Sequence, residues 1–409
     1  MARRTTAGPA ARNPAAERAS VATYAAFIAS GFSFATWASR IPQVQSALEL
    51  SPQVLGLVLL SLAAGSILAL PLAGVIVARI GSSRTVQVMA VVNGLALLWI
   101  GIGHTLGIPA LVVGLFCFGF AQGAWDVAMN VQGAAVERRL GRSIMARYHA
   151  GFSVGTVAAA LLSAALVVAG VPVALQLPLV GLLVAVGTPF AVRAFLADTD
   201  PADADPSVDQ APRRHPLAAW TEPRTLLIGL FVLAFAFTEG TANDWVAVAL
   251  IRDLQASEAI GTLGFAVFLS AMTLSRWVGP RLQDRYGRVP MIRAVTVLAL
   301  IGVVVFVTTT SVPLAVAATA LWGLGAGLGF PMGMSAAADE PRHAAGRVSV
   351  VASVGYTAFL AGPPLIGFLG EHWGVQKGLV VVPVLLLIAL LIAGCVRPPQ
   401  VVTTELPPD

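Results

Sequence analysis

Long runs without a charged residue constrain this chain more than any other feature. A bilayer core is about 30 Å thick, so a spanning helix needs roughly 20 apolar residues. The runs do not alternate polar and apolar residues as membrane β-barrel strands do, so we predict an all-α integral membrane protein. The seven runs are 19–39, 50–78, 85–125, 148–192, 294–338, 348–370 and 378–396.

Three of these runs are long enough for two helices, and each has a glycine- or proline-containing break near its middle. Two further apolar segments carry only a few charges. The sequence therefore predicts twelve transmembrane helices. Their expected limits are 20–45, 53–78, 85–103, 108–137, 149–170, 173–195, 225–250, 259–280, 290–309, 313–337, 347–369 and 376–396.

The composition excludes several classes of protein. Hydrophobic residues make up 57% of the chain and charged residues 11%, against about 25% charged in soluble domains, so a soluble enzyme is excluded. The two cysteines, Cys117 and Cys395, both lie in apolar runs, and we expect neither a metal site nor a cofactor. The basic residues are not clustered with aromatic ones, so no nucleic-acid partner is expected.

Basic residues predict how the helices are oriented. Of the 25 lysines and arginines, 22 fall on the side of the amino terminus when the helices alternate, Arg276 among them. Cytoplasmic loops of membrane proteins are rich in such residues, so both termini are predicted to be cytoplasmic. We expect a multi-pass protein of a bacterial-type plasma membrane, whose first apolar run is too long for a cleaved signal peptide.

A polar segment divides the chain near its middle. Residues 198–216 hold five aspartates and four prolines, which is typical of a flexible linker. The predicted parts are a cytoplasmic tail (1–19), a six-helix bundle (20–197), a cytoplasmic linker (198–220), a second six-helix bundle (221–397) and a cytoplasmic tail (398–409).

The two bundles share an internal repeat. Arg79-Ile80-Gly81 recurs 206 residues later as Arg285-Tyr286-Gly287, and a glycine pair of the fourth helix recurs at the same offset. Two six-helix units in one orientation are related by a pseudo-twofold axis along the membrane normal. Such an arrangement places a substrate site between the halves, near mid-depth, with alternating access by rocking.

The segment after the second helix of each half resembles a signature of the major facilitator superfamily, G-x-x-x-D-R-x-G-R-R. The second half keeps most of it, whereas Ala78 replaces the aspartate in the first half. The resemblance implies the twelve-helix fold of that family, secondary transport, and a cytoplasmic latch in this loop; simple anchoring of the arginines is the alternative. The gate or latch candidates are Arg79, Gly81, Asp284, Arg285, Gly287, Arg288 and, at the start of the fifth helix, His149.

Finer features point to one branch of the family. The run 123–130, and Glu239-Gly240 followed by Asp244-Trp245, are similar to fucose-permease-type symporters. Gly119 stands where drug antiporters carry an arginine, and the antiporter proline of the fifth helix is missing. Both departures count against a multidrug exporter, and a multidrug or metabolite exporter of the same fold is kept as the alternative.

Ionisable residues inside membrane helices are candidates for function by default. Gln122, Asp126 and Asn130 recur every fourth residue and share one helix face. We expect Asp126 to take up a proton or bind substrate; a structural hydrogen bond is the alternative. Glu239 lies about 22 Å from the predicted cytoplasmic end of the seventh helix, near the middle of the membrane. Asn243 shares its helix face, and Asp244 lies nearer the outside.

Four further candidates have weaker signals. Arg40 closes the first helix and is expected either to pair with Asp244 or Glu239, to hold an anionic substrate, or to reach out to the interface. Trp37 and Trp245 are expected to stack on a substrate or to form an interfacial aromatic belt. Tyr356 is expected to line the cavity.

The expected function is proton-coupled transport of a small molecule. The chain has no ATPase motif, and its G-x-S-x-G match at 151–155 opens a membrane helix rather than a hydrolase elbow, so we predict no enzyme. The expected partners are an unidentified small-molecule substrate, protons and membrane lipid, with the protein a monomer. A non-transporting receptor or scaffold is the second alternative.

Overall fold

The computed structural model describes residues 13–141, 144–197, 218–340 and 343–398. Within these ranges it is helical and has no strand, and twelve spans are long and apolar enough to cross a membrane, which confirms the predicted fold class. Spans 1 to 12 are Pro14–Ala47, Pro52–Ile80, Ser82–Leu106, Ile108–Leu140, Met145–Val168, Val173–Ala194, Pro223–Arg252, Glu258–Tyr286, Arg288–Thr308, Val312–Ala337, Gly346–Trp373 and Val375–Val396.

Local sequence sets where the spans begin and break. Span 1 begins six residues before the predicted limit, because the Asn13 side chain accepts a hydrogen bond from the Ala16 amide (3.2 Å) and Pro14 fits the first turn. Three spans are interrupted. Their helices are Pro14–Ala38 and Ile41–Ala47 in span 1, Val312–Ala326 and Gly329–Ala337 in span 10, and Val375–Gly378 and Val381–Ile392 in span 12.

The internal repeat is visible in the backbone itself. Among the described residues, Glu49 and Gln255 are the non-glycine residues with positive φ, at 50° and 56°, and they are 206 positions apart. The serines two positions further on each cap the next helix. Gly81 and Gly287, which end spans 2 and 8 at the same offset, have φ of 82° and 86°. The two halves therefore repeat unusual turns as well as helices.

Helix packing repeats in the same way. Within the first half, span 1 packs on span 5, span 2 on span 4 and span 3 on span 6; within the second half, spans 7 and 11, 8 and 10, and 9 and 12 pair likewise. The halves meet where span 2 crosses span 11 and span 5 crosses span 8. The limits predicted for the two bundles stay predictions, and most of the predicted linker lies outside the described residues.

The two halves are closed together at one face. Because the number of spans is even, both described chain ends lie on one side, which we call the predicted cytoplasmic face; the opposite side is the predicted outer face. At the predicted outer face Gln43 Nε2 donates to Glu258 (3.0 Å) and the Gln53 amide donates to Glu371 (3.3 Å). Spans 2 and 11 also touch there through backbone at Gly56 and Gly367.

Candidate functional site

Span 4 contributes a carboxylate to the space between the halves. Asn130 Nδ2 donates to the Asp126 carbonyl (2.8 Å) and to Asp126 Oδ1 (3.3 Å), so these two side chains share one helix face, as predicted. Asp126 is half-buried. Its hydrogen bonds and ion pairs with described residues include no cation, so no described side chain neutralises its charge.

Gln122, the third member of this face, belongs to a buried hydrogen-bond network. It donates to Ser30 Oγ (2.7 Å) and accepts from Asn93 Nδ2 (3.1 Å), while Ser33 donates to Asn93 Oδ1 (2.5 Å). The network ties spans 1, 3 and 4 together beside Asp126. Asn93 was not among the predicted site residues; its signal is a buried amide within an apolar run that also holds Gln87 and Gln122.

Glu239 is held in an ion pair with Arg276. Arg276 Nη2 donates to Glu239 Oε2 (2.8 Å) and Nε donates to the Gly327 carbonyl (3.2 Å). The break in span 10 leaves that carbonyl free to accept, so one guanidinium connects spans 7, 8 and 10. The two charged side chains are 25% and 21% exposed, so the pair borders open space rather than the helix core.

The placement of Arg276 with the cytoplasmic anchoring residues was therefore wrong. Arg276 lies ten residues before the end of span 8 at Tyr286, which is about 15 Å inside the helix. An arginine at that depth is costly unless it is paired, and Glu239 supplies the opposite charge. Counting basic residues by their distance from a predicted helix end missed this pairing.

Side chains of the two halves face each other across the middle of the molecule. Tyr356 of span 11 lies near Asp126 of span 4, and His149 of span 5 lies near Arg276 of span 8. The His149 side chain is partly exposed, and its ring packs edge-on against Phe27 at a centroid distance of 5.1 Å. We call the space bordered by these groups the central cleft; it is lined by Asp126, Asn130, His149, Glu239, Arg276 and Tyr356.

Span 11 adds hydroxyl groups to the same wall. Ser349, Ser353 and Tyr356 follow at intervals of four and three residues and so share a helix face. Both serines are exposed although they lie in a membrane span, and Ser353 donates to the Ser349 carbonyl (2.8 Å). Because Tyr356 lies near Asp126, this face of span 11 borders the central cleft.

A second group of polar atoms lies further along span 7. Asp244 is half-buried and makes no ion pair with any described residue. The Asn243 side-chain oxygen, the Thr241 hydroxyl and the Trp245 indole N–H are buried without a hydrogen-bond partner among the described residues. Buried polar atoms usually have partners, so water or a ligand is expected to satisfy these.

Arg40 and Trp37 lie away from the central cleft. Arg40 Nε donates to Gln176 (2.6 Å) and Nη2 donates to the Val171 carbonyl (3.0 Å), both within the first half at the predicted outer face. The predicted pairing with Asp244 or Glu239 is wrong, because the break after span 1's first helix turns Arg40 toward span 6. Trp37 and Trp245 are each buried and present no free ring face for stacking.

One of the predicted latch residues is held by an ion pair. Arg288 Nη1 donates to Asp339 Oδ1 (2.9 Å), and Arg224 binds the same carboxylate (2.9 Å), which joins spans 7, 9 and 10 at the predicted cytoplasmic face. Gly81 and Gly287 end spans 2 and 8 through their positive φ. Arg285 lies over the Tyr286 ring (5.3 Å), and neither Arg79 nor Asp284 forms an ion pair within the described ranges.

Known proteins match most of the chain. The profile of the Major Facilitator Superfamily matches residues 23–339 and 240–408. An uncharacterized MFS-type transporter of Yersinia pestis is 32% identical over 357 residues, which cover 86% of this chain and 88% of that protein.

Solved structures of low sequence identity share the fold. A bacterial homologue of the human lysosomal transporter Spinster, in an inward-facing and unoccupied conformation, aligns with a TM-score of 0.72 at 14% identity, over 94% of this chain and 98% of that one. The Escherichia coli fucose:proton symporter aligns with a TM-score of 0.63 at 12% identity, over 95% and 100% of the two chains.

Proposed function

Because the chain belongs to the major facilitator superfamily, whose members are membrane transporters rather than enzymes, we propose that it moves a small polar solute by alternating access and couples this movement to protons. The central cleft is the solute site and Asp126 is the main proton carrier. The face at which the halves are closed is the outside of the cell, both chain ends are cytoplasmic, and the protein works as a monomer.

The observation that carries this proposal is the unneutralised carboxylate of Asp126. It lies on a wall of the first half opposite Tyr356 of the second half, so rocking of the halves changes its surroundings. A charged carboxylate enclosed by a closing cleft loses its hydration, which is costly. A proton removes the charge, so the loaded carrier closes more readily than the deprotonated one.

Glu239 has a different part in this mechanism. Arg276 already balances its charge at 2.8 Å, so Glu239 needs no proton for the empty cleft to close. His149, within range of Arg276 on the facing wall, completes a border of titratable groups around the solute space.

The available driving force fits such a carrier. One charge that crosses 100 mV releases about 2.3 kcal/mol. At 1.4 kcal/mol for each tenfold ratio, this sustains a solute gradient of roughly 40-fold.

The test is solute-dependent proton movement in liposomes. The protein is reconstituted with a pH-sensitive dye inside, and a panel of sugars, organic acids, amino acids and nucleosides is added outside. We expect some solute to acidify the lumen with the wild type and to acidify it less with Asp126→Asn. Equal acidification by Asp126→Asn and the wild type would refute the role of Asp126.

Glu49→Gln is the matched control. Glu49 is an exposed carboxylate on a turn at the predicted outer face, and the equivalent position of the second half is already Gln255. This variant removes the same charge and should acidify the lumen like the wild type. Solute exchange without a proton gradient should persist in Asp126→Asn, which separates lost coupling from lost binding.

A further inference from the structure

Arg276 has the geometry of a binding group that is open to the central cleft. It is fixed by two contacts on different helices, Glu239 at 2.8 Å and the Gly327 carbonyl at 3.2 Å. A guanidinium has five N–H donors, and these two bonds use two of them. The side chains of Arg276 and Glu239 remain 25% and 21% exposed, so a solute in the cleft reaches both.

We propose that the transported solute carries a carboxylate that binds Arg276, and that Glu239 occupies this place while the cleft is empty. The inference rests on the proposed function and names its substrate class. Guanidinium and carboxylate groups match in shape and form charge-assisted, often bidentate hydrogen bonds. A solute carboxylate therefore offers Arg276 the same chemistry that Glu239 offers it now.

Charge balance explains how the exchange is coupled to a proton. When a proton binds Glu239 Oε2, the hydrogen bond from Arg276 Nη2 loses its charged acceptor and Arg276 is left as an unbalanced cation. The solute carboxylate then accepts the Arg276 hydrogen bonds, and the proton stays on Glu239. One proton and one anion enter together, so the charge of this wall is unchanged.

The facing wall restricts the rest of the solute. The titratable groups there are Asp126 and His149, and Asn130 and Tyr356 add polar groups beside them. Asp126 repels a second anionic group and accepts hydrogen bonds. The solute class is therefore a small carboxylic acid whose other end carries hydrogen-bond donors, such as hydroxyl or ammonium groups.

A purely structural ion pair makes a different prediction. If Glu239 and Arg276 only hold spans 7, 8 and 10 together, neutralising Glu239 weakens the fold and creates no site for an anion. The two possibilities differ in what a small carboxylate does to the neutralised variant.

Acetate is the probe. Purified Glu239→Gln is melted with sodium acetate, with sodium chloride at the same ionic strength, and with acetamide as the neutral analogue. We expect acetate to raise the melting temperature by about 2 °C over both controls once its concentration is several times Kd. The wild type, whose Glu239 competes for Arg276, should show a smaller shift, and Glu239→Gln/Arg276→Gln should show none.

The same measurement is made on Glu239→Ala, which leaves an open space beside Arg276. No acetate-specific shift in these variants would overturn the proposal, as would an equal shift in the double variant. The wild type gives an independent test that needs no variant. The solute that drives acidification should lose its activity when its carboxylate is converted to an amide, and an active solute without a carboxylate would overturn the proposal.

The outcomes separate this inference from the proposed function. Acetate binding to Glu239→Gln requires no transport and no Asp126. A carrier that moves a neutral polyol with protons would keep the proposed function and refute the substrate class. An acetate-specific shift without any solute-dependent proton flux would support the carboxylate site at Arg276 and refute the proposed proton-coupled transport.

Discussion

Adding one methyl group where spans 2 and 11 cross should open the carrier at the predicted outer face. A Cβ atom at Gly367 would lie 2.6 Å from the Pro52 carbonyl oxygen and 3.1 Å from the Gly56 Cα. Both neighbours are backbone atoms, which cannot rotate away, so the two spans must separate. The proposed alternating access requires these spans to separate at this face in the opposite state, where the methyl group would have room.

The size of the effect follows from the cost of overpacking. Extra methyl groups in packed cores destabilise a structure by about 1–3 kcal/mol. In Gly367→Ala this destabilisation applies only to the closed state. At 1.4 kcal/mol for each tenfold ratio, Gly367→Ala should shift the equilibrium toward the outward-open state by about 5- to 150-fold. The higher helix propensity of alanine acts in both states and largely cancels.

The assay is a distance distribution between spin labels at Ala47 and Arg252, which are exposed positions on the two halves at the predicted outer face. Cys117 and Cys395 are first replaced by alanine. We expect a longer distance to gain population in Gly367→Ala and in Gly56→Ala. Gly74→Ala is the control, since a Cβ at Gly74 in the same span 2 meets nothing within 4 Å. Matching distributions in Gly367→Ala and Gly74→Ala would refute the reasoning.

Three further predictions concern stability in detergent. Asn93→Ala should lower the free energy of unfolding by about 1–2 kcal/mol, because it leaves the Gln122 oxygen and the Ser33 hydroxyl without partners. Denaturant unfolding measures this change, and Gln87→Ala in the same span should lower the free energy of unfolding clearly less. Asp339→Asn should lower the free energy of unfolding by about 2 kcal/mol, since Arg224 and Arg288 share that carboxylate. A melting temperature like that of the wild type would contradict this prediction. The hydrogen bond from Arg347 lowers the pKa of Glu222, so this stabilisation is complete above the ordinary glutamate value of about 4.3 and is lost as the pH falls through the lowered pKa. Melting temperature should therefore fall on acidification, and Glu222→Gln should flatten that fall; an unchanged slope would count against it.

The fold was predictable because lipid leaves few alternatives. Apolar runs longer than a bilayer core, breaks at glycine and proline, and a 206-residue repeat each indicate helices, their number and their arrangement. The start of span 1 at Pro14 was missed because its cause, the Asn13 cap, stands outside the apolar run. The break at Gly327 was not predicted although its cause stands in the sequence, because Pro331 has no amide hydrogen to bond the Gly327 carbonyl four residues before it.

The site was only partly predictable. The shared face of Asp126 and Asn130 follows from a spacing of four residues within one helix, and the structure confirms it. The partner of Glu239 lies on another helix, and a spacing within one helix carries no information about it. Arg276 was therefore counted as an anchor, and pairing with Glu239 was instead given as one alternative for Arg40, which follows the first helix of span 1.

The most direct test of the account asks from which side the central cleft is open. Ser353 is exposed on the cleft face of span 11, so a single cysteine there, in a background without Cys117 and Cys395, reports on water access. Inside-out and right-side-out vesicles are treated with a membrane-impermeant maleimide. We expect labelling from the cytoplasmic side in the wild type, with labelling from the outside gained in Gly367→Ala. Labelling only from the outside, or none from either side, would contradict a cleft that lies between the halves and is closed outward.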